Sequence, residues 1–266
     1  MNKKIAIQLS GQSRVFDGPG LVYSKLKELY PEYDFYFFLA GWDYEVSKYD
    51  KFDFFTSKKF FKDDLPVYYV QPGDYEWKNH SNRLMYLLEE SNNLRENYEK
   101  NNNFKFDLVV WTRVDIILFP GFFKAIFDRL NLKNNAKSRL SDHIVFNDLG
   151  LCSIDNNSKD ELYTNDRVFY GNSTSMSKFS KMYTHFYIDH KTDTGFDAHR
   201  SFASFGFEGK FAIVKDDMVN YYKIIRPDNW SKPIPPAKIK ESELFEYFDS
   251  CNWKKDYKEF NLSILI

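Results

Sequence analysis

Short apolar runs alternate with stretches of helical spacing along most of the chain. Residues 4–9 form an apolar run that ends in Ser10-Gly11-Gln12-Ser13-Arg14, the pattern of a buried strand feeding a small-residue turn. Gly18-Pro19-Gly20 opens a helix with Leu21, Val22, Leu26 and Leu29 on one side, stopped near Pro31. Residues 34–40 (DFYFFLA) read as a second buried strand ending in Gly41-Trp42-Asp43, and residues 67–70 as a third ending at Gln71-Pro72-Gly73. A long helix is predicted over 81–100, with Leu84, Leu87, Leu88, Leu94 and Tyr98 as its apolar side, broken by Asn101-Asn102-Asn103.

Residues 106–111 (FDLVVW) are the most hydrophobic strand and run into Thr112-Arg113-Val114-Asp115. Pro120 sits where a helix would start, with Phe123, Ile126, Phe127 and Leu130 at helical spacing. Residues 143–146 and 167–170 are further strands. Asn172 or Ser173 caps a helix with Met176, Phe179, Tyr183 and Phe186 on one face. A short helix is expected around 195–205, and late strands at 211–214 and 221–225. Residues 227–236 are Pro-rich and read as an extended linker, leading to a last helix near 241–248 and a tail. Residues 1–226 therefore form the main domain and 227–266 an extension. Alternating strands and helices predict an α/β fold: a mixed, mainly parallel sheet with helices on both faces. Ligands bind such sheets at the carboxyl ends of the strands.

With 266 residues, of which 43% are hydrophobic and 28% charged, the chain is in the globular range and needs no disulfide or metal to fold. Lys and Arg (37) balance Asp and Glu (38), which removes the electrostatic argument for a nucleic-acid or anionic-membrane partner. Aromatics reach 19%, so the core is expected to be built from bulky rings. Cys152 and Cys251 lie far apart and read as free thiols of a reducing compartment. The start MNKKIAIQLSG lacks a signal-peptide core, and no apolar stretch is long enough for a membrane span. The expectation is a soluble cytoplasmic protein. Lys58-Lys59-Phe60-Phe61-Lys62 reads as a solvated amphipathic segment rather than a membrane contact.

Two strand ends carry candidate chemistry. Arg113 and Asp115 point to the same side of the chain; Asp suits Mg²⁺ or Mn²⁺, and Arg suits a carboxylate or diphosphate. Equally, the two could pair with each other and close the strand end. In residues 10–14, Gly11 lets backbone approach a ligand, N–H groups at the turn attract anions and Arg14 adds charge. The alternative there is a simple turn. The segment is neither a Walker loop nor a G-x-G-x-x-G fingerprint, and no Ser-His-Asp order, C-x-x-C pair or H-E-x-x-H helix occurs.

As an ordered set, S-G-Q-x-R after the first strand, Trp42-Asp43 after the second, W-T-R-x-D after the central one and Asn165-Asp166-Arg167-Val168-Phe169-Tyr170-Gly171 downstream resemble a group of small GT-A-type glycosyltransferases. These occur in bacterial surface-polysaccharide clusters and in large DNA viruses and phages, and the resemblance covers roughly residues 4–226. It implies a GT-A-like, Rossmann-like fold and transfer of a sugar from a nucleotide-sugar to a glycan or other hydroxyl acceptor.

By that resemblance Asp115 takes the metal-ligand role of the D-x-D motif, holding Mn²⁺ or Mg²⁺, while Arg113 stands where the first Asp would be. Ser10, Gly11, Gln12 and Arg14 would line the nucleotide and diphosphate, and Asp43 the base or ribose. Arg83 is either a nucleotide-side residue or a solvated helix charge. Arg226 either reaches the diphosphate or is a surface charge. For the acceptor hydroxyl, Asp197 in Thr194-Gly195-Phe196-Asp197-Ala198-His199-Arg200 is the first choice of base and Asp166 the second. A helix-start Asp is also favoured by the dipole alone, and His199 reads equally as a core histidine. Two other readings remain: a sugar-1-phosphate nucleotidyltransferase, and a non-catalytic carbohydrate-binding relic of the same fold.

Overall fold

The structure is a computed structural model that describes residues 2–11, 23, 26–50, 52–65, 77–118, 123, 145–147, 168–189, 212–214, 222–224 and 262–263. Four parallel strands form its centre: β1 (Lys3–Ser10), β2 (Tyr33–Trp42), β3 (Ser57–Phe61) and β4 (Leu108–Arg113), in the spatial order β4-β1-β2-β3. Beyond β4 the sheet turns mixed. A strand β7 (Val168–Gly171) pairs antiparallel with β4, and β6 (Val145–Asn147) antiparallel with β7. Next come β8 (Ala212–Val214), parallel to β6, and β10 (Leu262–Ser263), antiparallel to β8. A separate two-stranded ribbon joins β5 (Ile116–Leu118) to β9 (Tyr222–Ile224). The arrangement is a mixed α/β sheet compatible with the Rossmann-like class.

Period-two alternation decides what each sheet face meets. Ile5, Ile7 and Leu9 of β1 share one core cluster with Phe35, Phe37 and Leu39 of β2 and Leu108 and Val110 of β4; helical residues Tyr23, Leu26 and Phe123 pack there. The opposite parity, Ala6, Phe38, Val109 and Trp111, meets Met85 and Leu88 of a long helix and Met176 and Phe179 of a shorter one. Every residue of β4 is buried, as expected of the central strand. The aromatic composition is visible in the packing: Phe169 stacks on Trp111 with ring centroids 5.1 Å apart and meets Phe179 edge-on at 4.7 Å.

A short helix, α1 (Val46–Tyr49), follows a 3₁₀ turn at Asp43–Glu45. The long helix, α2, runs Trp77–Asn102, longer at both ends than the spacing predicts. Its stop is a left-handed Asn103 (φ 54°), with Phe104 N–H donating to the Glu99 carbonyl and Asn103 N–H to that of Lys100. This is the Schellman arrangement, which the Asn run accommodates because Asn tolerates that region. The shorter helix, α3 (Ser173–Phe179), starts as predicted: the Asn172 side chain accepts from Ser175 N–H at 2.8 Å. Tyr183 and Phe186 pack against the same core cluster from the turn that follows.

Three expectations change. Residues 58–61 belong to the edge strand β3, not to a solvated segment; Phe60 packs into one core cluster and Phe61 into another. Its lysines lie on the edge strand, where charge discourages pairing with other chains. Leu29 is 41% exposed, and Tyr23 takes the buried place expected for the apolar side of that helix. The buried stripe of α2 is half polar, with Ser91, Asn92, Arg95 and Glu99 continuing the line of Met85 and Leu88. The expected strand at 67–70, the helices at 195–205 and 241–248 and the linker at 227–236 lie outside the described residues. Among those described, no helix is long and apolar enough to cross a membrane.

Candidate functional site

Because β4, β1, β2 and β3 are parallel, their carboxyl ends lie along one edge, which brings together three of the segments the sequence singles out. At the middle is the end of β1. Ser10 is fully buried and its hydroxyl accepts a 2.8 Å hydrogen bond from Trp111 Nε1, while its carbonyl accepts from Val114 N–H at 2.9 Å. The Ser10 side chain thus fixes the turn from inside the sheet. Gly11 follows with φ +106°, a conformation costly for any residue with a Cβ. A Cβ placed there would meet nothing within 4 Å, so the backbone at Gly11 borders open space.

Ser10 is in register with Arg113, the last residue of β4. Arg113 Nε donates to Asp115 Oδ1 at 2.8 Å, and Nη2 donates to Oδ2 at 2.5 Å, a two-pronged fork. The two side chains are 10% and 2% exposed. The pairing that the sequence left as one of two readings is therefore formed. Next to it, Ile116 of β5 lies opposite Ile224 of β9. Arg226 itself lies outside the described residues, as do Gln12, Arg14, Asp166, Asp197 and His199.

At the end of β2, Asp43 is exposed and Tyr44 is 55% exposed. Partial burial and the neighbouring Glu45 and Asp63, only partly offset by Arg83, push the Tyr44 hydroxyl up to about 12, so it stays protonated and able to donate at neutral pH. Arg83 projects from α2 to Asp63, just beyond β3, with Nε 2.7 Å from Oδ1. The pair ties the helix to the far end of the edge. Sequence reasoning missed Trp111, Tyr44 and Asp63. Only Trp111 had a signal, its place in W-T-R-x-D at the same strand-face parity as Ser10.

The divalent ion implied by the D-x-D comparison would share the Asp115 carboxylate with Arg113. Both Asp115 oxygens already accept from a cation of the protein, and the carboxylate is almost entirely buried. Among the described residues, no three His, Cys, Asp or Glu side chains cluster in a way that could hold a metal. What the edge does offer is a backbone turn open to a ligand, a fixed guanidinium beside it, and an exposed phenol and carboxylate one strand away. That set suits a polar, anionic ligand. No protein-family model matches the chain, and no curated protein matches it.

Proposed function

We propose that the chain is a glycosyltransferase of the GT-A kind, taking its sugar from a nucleotide-sugar. The observation that carries the reading is the end of β1 and β4: a left-handed Gly11 bordering open space, one residue after the Ser10 that is in register with Arg113 of the buried Arg113–Asp115 fork. Parallel α/β sheets bind nucleotides at this edge, and the ordered strand-end motifs resemble those of the group named above.

In this reading the donor diphosphate lies over Gly11, Gln12 and Arg14, with the base or ribose toward Asp43. The acceptor oxygen bonds to the anomeric carbon as that carbon's bond to the phosphate oxygen breaks. The acceptor proton passes to a carboxylate, Asp197 first and Asp166 second, and the nucleotide leaves with its negative charge stabilised by Arg113 and Arg14. The acceptor is a glycan or another hydroxyl compound.

The test is a thermal-shift panel of UDP, GDP, CMP, dTDP and ADP, each with and without Mn²⁺. A ligand at about 100 times its Kd stabilises by about 2.7 kcal/mol, which for a domain of this size raises Tm by about 5–10 °C. A shift with one nucleotide supports the reading and identifies the base. No shift with any of them overturns it in favour of a carbohydrate-binding relic. Release of pyrophosphate from a nucleoside triphosphate would overturn it in favour of a nucleotidyltransferase.

A further inference from the structure

We propose that the contact between β1 and α2 contains a bound water molecule, held by the side chains of Gln8 and Asn92. The water belongs to the core and is independent of the transferase reading. Gln8 lies within β1, in register with Phe38 of β2 and Trp111 of β4, on the sheet face that meets α2. It is a polar residue in an otherwise apolar layer, and both Gln8 and Asn92 are fully buried. Gln8 Nε2 donates to Asn92 Oδ1 at 3.5 Å, the long limit of a hydrogen bond, and Arg95 Nη2 donates to the same oxygen at 2.7 Å. Gln8 Oε1, Asn92 Nδ2 and Arg95 Nε are buried without a protein partner.

Turning either amide over does not cure this. A reversed Gln8 would bring its oxygen against Asn92 Oδ1, and a reversed Asn92 would bring its NH₂ against the Arg95 guanidinium. The orphaned set is one acceptor and two donors, grouped around a single amide contact. Water matches it: it donates to Gln8 Oε1 and accepts from Asn92 Nδ2, with a second lone pair for Arg95 Nε. An anion has no proton for Gln8 Oε1, and Arg95 already pairs with Glu99. A metal cation would face two donors and a guanidinium. Ala6, the smallest side chain of that layer, stands next to Gln8 on the same strand face, and the long amide contact is not drawn tight. Orphaned amide atoms in apolar surroundings cost more than ordering one water.

The test is a crystal structure of the full chain, with thermal unfolding of Gln8→Met beside it. The expected result is an ordered water within about 2.7–3.2 Å of both Gln8 Oε1 and Asn92 Nδ2. Gln8→Met keeps the bulk and removes the acceptor, so the water loses a partner and Tm should fall by about 2–4 °C. Direct protein partners for both atoms, or a dry contact, would overturn the inference. So would a Tm that holds or rises in Gln8→Met, because deleting an orphaned acceptor from a dry site relieves a penalty. The wild-type structure decides the matter if the variant fails to fold. Nucleotide binding, which tests the transferase reading, is untouched by either result.

Discussion

Glu99→Gln should be among the most damaging isosteric changes in the protein. Glu99 is 1% exposed on the buried stripe of α2. Its Oε2 accepts from Arg95 Nη1 and from Lys105 Nζ, each at 2.8 Å, and its Oε1 accepts from Phe106 N–H at 2.9 Å. Arg95 is wholly buried and also donates to Asn92, Ser173 and Ser177 at 2.7 Å. The Glu99 carboxylate therefore pairs with a buried guanidinium, which the half-buried Glu96 also approaches at 3.7 Å, closes the end of α2 and holds the chain entering β4. Removing one partner of a buried pair costs about 3–5 kcal/mol. Lys105 is 65% exposed and adds little. Arg95 keeps three neutral acceptors, which favours the lower end, about 3 kcal/mol. That is a fall in Tm of about 6–12 °C, read by circular dichroism at neutral pH.

The same variant should change the acid limb. Burial pushes the Glu99 carboxyl up, but hydrogen bonds from Lys105, Phe106 N–H and Ser173, with the charge of Arg95, outweigh it and hold it below the ordinary 4.5. The unfolded chain then binds the proton first. The contribution of Glu99 is complete above the unfolded value and fades as pH falls through the lower folded one. Wild type and Glu99→Gln should therefore converge in stability as pH drops below that range. A double variant, Arg95→Met with Glu99→Leu, should lose less than Glu99→Gln alone, because no buried charge is left uncompensated. A fall in Tm under about 2 °C for Glu99→Gln, or a gap that stays constant into acid, would refute the account.

Three smaller changes test the local arguments. Asn172→Ala removes the N-cap of α3 and should cost about 1 kcal/mol in urea unfolding. Gly11→Ala meets no clash, so its cost is that of an unfavourable φ alone, about 1–3 kcal/mol, and should appear in Tm without any repacking of the core signal. Trp111→Phe leaves the Ser10 hydroxyl without its buried donor and should cost about 1–3 kcal/mol beyond the volume change, against a smaller loss for a Trp whose N–H reaches water.

Most strands were legible from their apolar runs, the short β6, β7, β8 and β9 included. β1, β2 and β4 fall on the expected residues to within a few positions, and Asn172, one of the two caps the sequence offered, was readable because a short polar side chain stands directly before residues at helical spacing. β3 was not legible, because lysines at a sheet edge look in sequence like lysines in solvent. The buried side of α2 was misread for a related reason. Periodicity counts apolar residues, and Arg95 and Glu99 satisfy each other in a place where only pairing makes charge tolerable. At the site, the Arg113–Asp115 spacing was visible and its pairing was one of two readings. The Ser10–Trp111 bond was not, since it joins residues 101 positions apart.

The carboxyl ends of β1 and β4 break the rule that the rest of those strands obeys. Ser10, Thr112, Arg113 and Asp115 are all buried, directly after runs that are apolar apart from Gln8. Stability alone does not require this, because apolar residues of similar volume commonly replace a buried ion pair at no net loss. Where local rules are broken without a stabilising reason, function is the usual cause. Arg113→Met combined with Asp115→Leu separates the two. If the pair serves only to close the strand, the double variant should lose stability and leave ligand behaviour at this edge untouched. If it serves a ligand, the double variant should unfold within about 2 kcal/mol of wild type and lose nucleotide binding altogether. Retained binding in a stably folded double variant would remove Arg113 from the site.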